Sequence, residues 1–253
     1  MMHQVACITD KGRHRPGNED FILCMESDYL FMVADGVGGH NSGELASRLA
    51  GEHIKEYIKA NPIHDIADDL MLKDYFLNCF SEANQNIYKW ASQVEKNAGM
   101  ATTAVLAYIP KNKAYIVNVG DSRAYLVRDS QLYQITEDHT YVNDLLKKGT
   151  ITKEEVINHP DRNMITRALG SEETVEPDFY LLDVQKGDRI LLCTDGLYNE
   201  IEAEEIRHLA QTAINIELMA QELVGRANQY GGRDNISVIC IEIKEREKEK
   251  DNE

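Results

Sequence analysis

The sequence predicts an α+β protein folded as a four-layer α-β-β-α sandwich, two antiparallel β-sheets flanked by helix pairs. Three observations lead there. Short apolar runs follow one another with links of a few residues, as antiparallel strands do. Helical periodicity comes in pairs, whereas a doubly wound parallel sheet needs one crossover helix per strand. Most of the strands are near-continuously apolar, so they call for burial on both faces, which stacked sheets with helices outside would provide.

The elements can be read in order. Residues 3–9, 20–26 and 29–35 are strands, and the tight Glu26-Ser27-Asp28 link makes the last two a hairpin. Leu45, Ala46, Leu49, Ala50, Ile54, Tyr57 and Ile58 form a helical stripe over 42–60, with Asn41 and Glu44 as a capping box and Asn61-Pro62 as the stop. A second helix spans about 71–95. Runs at 102–109, 114–120, 123–128 and 131–136 read as a four-stranded meander. Residues 139–170 turn helical, with a Thr152–Glu155 capping box and a His159-Pro160 stop. Strands at 179–184 and 189–195, helices near 203–213 and 215–229, and a last strand at 235–243 complete the chain. One domain is expected over 1–243, followed by a solvated charged tail at 244–253.

Composition excludes several classes of function. Among 253 residues, 43 are acidic and 27 basic, a formal charge of −16. A nucleic-acid binder or a polybasic membrane anchor needs the opposite balance. No apolar run reaches the ~18–20 residues of a spanning helix, and the N-terminus lacks the apolar core of a signal peptide. Five scattered cysteines with no CxxC pair read as small buried hydrophobes in a reducing compartment, so the cytoplasm is the expected location.

The strand ends carry the chemistry. One strand ends in Asp35-Gly36, another in Gly120-Asp121, a third in Asp195-Gly196. Two more are entered through Asn18-Glu19-Asp20 and Gly231-Gly232-Arg233-Asp234-Asn235. A single Asp-Gly is ordinarily a turn. Five acidic strand ends, if they converge, build an all-oxygen site that selects Mg²⁺ or Mn²⁺ over Zn²⁺. Such sites serve phosphoryl chemistry, and Arg13 and Arg15 beside them offer a guanidinium fork for phosphate oxygens. Competing motifs fail: Gly12–Gly17 has P-loop spacing but lacks the Lys-Ser/Thr, and the glycines after Asp35 are followed by two helices rather than a parallel strand.

Taken in order, GRHRPGNED, VADGVGGH, GMATT, VNVGDSRAYL, DHT…HPDRNMITRALG, CTDGL and GGRDNISV resemble the metal-dependent protein phosphatase family of type 2C in its bacterial form, over about residues 3–243. The resemblance implies a serine/threonine protein phosphatase that hydrolyses by direct attack of a hydroxide bridging two Mn²⁺ or Mg²⁺ ions. It assigns Asp35 as the bridge between ions, Asp195 and Asp234 to one ion, and Glu19 with the Gly36 carbonyl to the other. Asp20 would hold a water on an ion, Arg15 would bind phosphate, and Asp121 with Asp195 would hold a third ion. Residues about 139–176 would form a flap beside the site. Phosphorylated proteins, including a Ser/Thr kinase and its substrates, are the implied partners of a monomeric enzyme. Val37 stands where some members carry a general-acid histidine, so the proton donor is a water on an ion or His40; Ala101 replaces a frequent glycine. A phosphatase dedicated to an anti-sigma-factor antagonist, and a phosphoprotein-binding pseudophosphatase, are the other readings.

Overall fold

The computed structural model of the chain describes residues 2–38 and 42–244. His40, the Asn41 cap and the tail beyond Lys244 lie outside the described residues. Within them, two antiparallel sheets stack face to face. One runs in the order β1 (Met2–Asp10), β11 (Ile236–Lys244), β10 (Arg189–Cys193), β7 (Arg123–Arg128) and β8 (Gln131–Gln134). The other runs β2 (Asp20–Met25), β3 (Leu30–Val37), β5 (Ala104–Tyr108), β6 (Lys113–Val119) and β9 (Asp178–Asp183), with β4 (Ala101–Thr102) paired to β3.

Three apolar layers hold this together. Between the sheets, Phe31, Val33, Val105, Ile116, Leu192, Ile239 and Ile241 are fully or almost fully buried. Outside one sheet pack α1 (Ser42–Ala60) and α2 (Asp69–Gln93), whose Ile54, Phe76, Phe80 and Ile87 are excluded from solvent. Outside the other pack α6 (Ala203–Thr212) and α7 (Ile216–Tyr230), through Ile206, Met219 and Leu223. Each such side chain contributes about 1.5–3 kcal/mol through burial. The central strands are apolar at most positions because both faces are covered, as the sequence pattern requires. The predicted sandwich is therefore the observed one.

The differences in detail have physical causes. Helix α2 starts two residues before the expected position because the Asp68 carboxylate accepts from the Leu70 and Met71 amides. The run 102–109 divides into β4 and β5, both paired with β3 in one register, with the Thr103 amide between them donating to the Asp35 carbonyl at 2.9 Å; Thr102 also exchanges backbone hydrogen bonds with Leu169, 3.0 and 2.8 Å. The four-stranded meander is also corrected. β5 pairs with β6 and β7 with β8, but the chain crosses from one sheet to the other between β6 and β7. Gly120 makes the crossing at φ 104°, with Thr103 so close that a Cβ would lie 2.5 Å from its Cγ2.

Residues 139–170 hold two short helices, α3 (Tyr141–Lys147) and α4 (Lys153–Ile157), the latter with the expected Thr152–Glu155 capping box. The strand expected over 189–195 stops at Cys193, and Asp195 opens a one-turn helix, α5 (Asp195–Tyr198). Cys79, Cys193 and Cys240 are buried as expected, but Cys7 and Cys24 are exposed. They lie on β1 and β2, the edge strands of their sheets, where no further strand covers them.

Candidate active site

The acidic strand ends converge at one end of the sandwich. Arg15, Glu19, Asp35, Gly36, Asp121, Asp195 and Asp234 line a single cleft of about 310 Å³. Asp20 sits behind it, in register with Asp35 across the β2–β3 ladder, and accepts from Thr194 Oγ1 at 2.9 Å. Sheet topology explains the convergence, because β3, β6 and β10 all end on this side while β2 and β11 begin there.

Packing carboxylates together without counter-charge shifts their acidity. Burial, then the charges of Asp20, Asp195, Asp121 and Asp234, pushes Asp35 far above the usual carboxylate range. Asp20 rises to about 7, chiefly through burial, and so does Asp121. Asp195 rises to about 6 through burial and Asp234. Burial also raises Glu19, against the pull of Arg15. Asp20 Oδ1 and Asp195 Oδ1 are buried with no hydrogen-bond donor. Unpaired buried anions of this kind cost several kcal/mol each unless a cation or proton meets them.

Among the described residues, no three acidic, histidine or cysteine side chains stand as a finished metal cage. Asp234 Oδ2 accepts from Arg15 at 2.6 Å, and Asp195 Oδ2 from Asn199 at 2.9 Å. The donor set nevertheless fits hard divalent ions. It is all oxygen, it contains orphaned oxygens, and the backbone is shaped to present one more. A Cβ on Gly43 would lie 2.7 Å from the Gly36 carbonyl oxygen and 2.9 Å from the Glu19 carboxyl carbon, so those two groups share one cradle. Gly36 itself admits no side chain, since a Cβ would stand 2.1 Å from the Gly43 carbonyl. Val37 lies on the cleft wall beyond it, in register with Ala101, whose methyl is buried in β4.

Several supporting residues escaped the sequence reading. Asn235 ties the Arg15 loop down: its Nδ2 donates to the carbonyls of Lys11 and Gly17, and its Oδ1 accepts from the Glu19 amide. The Tyr198 hydroxyl donates to the Asp121 carbonyl at 2.9 Å, and the Arg123 guanidinium stacks on the Tyr198 ring while gripping Asp138. His139 Nδ1 accepts from the Gly120 amide at 3.1 Å, and its other nitrogen meets Asp178 at 3.2 Å. The signal for Asn235 was its place beside Asp234. His139 lay within the DHT motif, but nothing local showed its clamping role, since its partner Asp178 is remote in sequence.

A sequence model of the protein phosphatase 2C family matches residues 16–229. The serine/threonine phosphatase stp of Listeria welshimeri is 37% identical over 237 residues, 92% of this chain and 93% of that protein. The crystal structure of the Mycobacterium tuberculosis serine/threonine phosphatase PstP/Ppp superposes with a TM-score of 0.87 at 33% identity, covering 97% of this chain and 100% of that one. A structure of the PstP catalytic domain in complex with two manganese ions gives 0.83 at 32% identity, over 96% and 99% of the two chains. With its fold, its convergent carboxylates and these relatives in agreement, the chain belongs to the protein phosphatase 2C family.

Proposed function

We propose that this chain removes phosphate from phosphoserine and phosphothreonine in cytoplasmic proteins, opposing a Ser/Thr kinase, as a monomer that uses two catalytic Mn²⁺ or Mg²⁺ ions and a third held more weakly. One observation carries the reading. Six acidic residues share a cleft and its floor, burial pushes Glu19, Asp20, Asp35, Asp121 and Asp195 upward, and among the described residues only Arg15 lines that cleft as a cation. At neutral pH such a cluster is a binding site for divalent cations. The relatives support the metal: PstP was crystallised with two manganese ions.

Asp35, Asp195 and Asp234 would hold one ion, Glu19, Asp35 and the Gly36 carbonyl the second, and Asp121 with Asp195 the third. The ions supply activation of water and neutralisation of charge on the phosphoryl oxygens. The chain's own residues do the rest. Asp20, held by Thr194, stands behind the floor of the site, where it would hold a water on an ion. Arg15 stands half-exposed at the mouth, with its guanidinium on Asp234. Once that carboxylate is engaged by an ion, the guanidinium fork can turn to the phosphate and orient it. Among the described residues no helix is long and apolar enough to cross a membrane, in keeping with substrates in the aqueous phase.

The test is phosphate release from a phosphothreonine peptide in Mn²⁺, in Mg²⁺ and in EDTA. Release should require metal, and Asp35→Asn should lower kcat by about 10³-fold or more. The same substitution removes a buried repulsion, so the metal-free melting temperature should hold steady or rise. Undiminished release in EDTA would sink the proposal.

A further inference from the structure

The two exposed cysteines share one edge of the sandwich. β1 and β2 are the edge strands of different sheets, on the same side of the molecule, and residues of the two approach within 8 Å Cα to Cα. Strand alternation sets the direction of each side chain. Val5 and Ile22 pack against the core between the sheets, so Cys7 and Cys24, each two residues on, point the same way and face each other across the seam. Contacts close the seam on either side of them. Asn18 Nδ2 donates to Thr9 Oγ1 at 2.8 Å, and the His3 and Tyr29 rings meet edge to face at 5.4 Å.

From this geometry we propose that Cys7 and Cys24 form an oxidisable dithiol, a modification site at which a peroxide links the two sheets through a disulfide. The chemistry balances with one equivalent of hydrogen peroxide. The Cys24 thiolate attacks a peroxide oxygen, breaking the O–O bond and giving a sulfenic acid and, after protonation, water. The Cys7 thiol then attacks that sulfur, forming the S–S bond, and its proton leaves with the hydroxyl as a second water. Two thiols lose two electrons and the peroxide gains them.

The order of attack follows from the pair itself. The neighbouring Cys7 holds the Cys24 thiol below its ordinary range, while Cys24 and burial push Cys7 up. The other three cysteines lack this arrangement, being buried. Burial raises Cys193 to about 12 and pushes Cys79 and Cys240 up as well. The ring closed by the bond, residues 7–24, contains Arg15, Glu19 and Asp20, so oxidation would restrain the phosphate side of the cleft.

Peptide mapping of the full chain tests this. After stoichiometric hydrogen peroxide, the thiol count in denaturant should drop from five to three. Tryptic peptides 1–11 and 14–48 should appear linked and separate on reduction. The oxidised chain should melt about 5–10 °C higher than the reduced one, and Cys7→Ser and Cys24→Ser should each abolish link and shift together. Sulfinic acid on Cys24 with Cys7 still a thiol, or links only between two molecules, would overturn the proposal.

Discussion

The two edges of the sandwich flank the same cleft and hold their loops by different means. At the β1/β2 edge the segment 11–19, which carries Arg15 and Glu19, is clamped by the amide of Asn235 at 2.8–2.9 Å. The Arg13 amide adds a 2.7 Å bond to the Gly232 carbonyl. At the β8/β9 edge the flap is held by an ionisable group, His139, between the Gly120 amide and Asp178, with Arg167 also on Asp178. The flap has little core of its own: Val142 is the one buried residue of α3, and α4 has none. The contrast teaches that the phosphate-side loop is clamped by a side-chain amide that does not titrate, while the flap side is lightly held through an imidazole that does.

The strongest way to break this comparison is Asn235→Ala. It strands two carbonyls and one amide in a partly buried setting, so about 3–4 kcal/mol of stability should be lost, with a melting drop of about 6–12 °C. Because the loop carries Arg15, kcat/KM for a phosphopeptide should fall by about 100-fold at the same time. Calorimetry and steady-state kinetics check both. A variant that melts lower but keeps its kcat/KM would mean that the loop is positioned by something other than Asn235.

This asymmetry also separates what was legible in the sequence from what was not. The acidic ends Asp35, Asp121, Asp195 and Asp234 could be found because each sits in a local signature, a strand edge beside glycine or asparagine. The sandwich could be found because doubly buried strands such as Leu30–Val37 are apolar almost throughout. The clamps were not legible, because their meaning lies in partners 39 to 224 residues away: His139 with Asp178, Asn235 with Lys11. The β6–β7 crossing was hidden for a related reason. A short Gly-containing link reads as a hairpin turn whether the next strand pairs with its neighbour or enters the other sheet. The exposure of Cys7 and Cys24 depended on strand order, which hydropathy does not encode.

The flap side is the place to sharpen the comparison. His139→Ala should cost about 2 kcal/mol by stranding the Gly120 amide and removing one of three partners of Asp178. It should raise KM for a phosphopeptide several-fold, while turnover of p-nitrophenyl phosphate, which offers no peptide to contact, changes by less than about twofold. Acid should imitate the variant. Burial holds the His139 ring below the ordinary 6.5, with Arg167 helping and Asp178 opposing. The folded flap therefore refuses a proton that the unfolded chain accepts, and stability is lost as pH falls from 6.5 toward the lowered value. Asp178 is shifted downward, its hydrogen bonds from His139, Tyr180 and Arg167 outweighing burial, so its contribution persists until more acid conditions. Hydrogen exchange corrected for intrinsic rate should show residues 139–147 losing protection between about pH 7.5 and 5.5. Segment 11–19 should keep or gain protection over the same range, because the raised carboxyls of Glu19 and Asp20 bind protons more readily folded than unfolded, and His139→Ala should erase the loss at 139–147. Equal loss at both edges would remove the distinction.

The smallest effect is expected from the flap's surface. Lys147 Nζ lies 2.5 Å from Glu137 Oε2, an apparently strong tether, but the two side chains are 47% and 56% exposed. Exposed pairs gain about 0–1 kcal/mol, because water and salt screen the attraction and two long side chains must be immobilised. Lys147→Ala should therefore lower the melting temperature by no more than about 2 °C and leave the phosphopeptide KM in place. If it instead matched His139→Ala, the flap would be held from outside by a contact that salt dissolves. Repeating the KM measurement at about 0.5 M NaCl, where the screening length falls to about 4–5 Å, separates the two. A buried histidine clamp keeps its grip, and a surface ion pair does not.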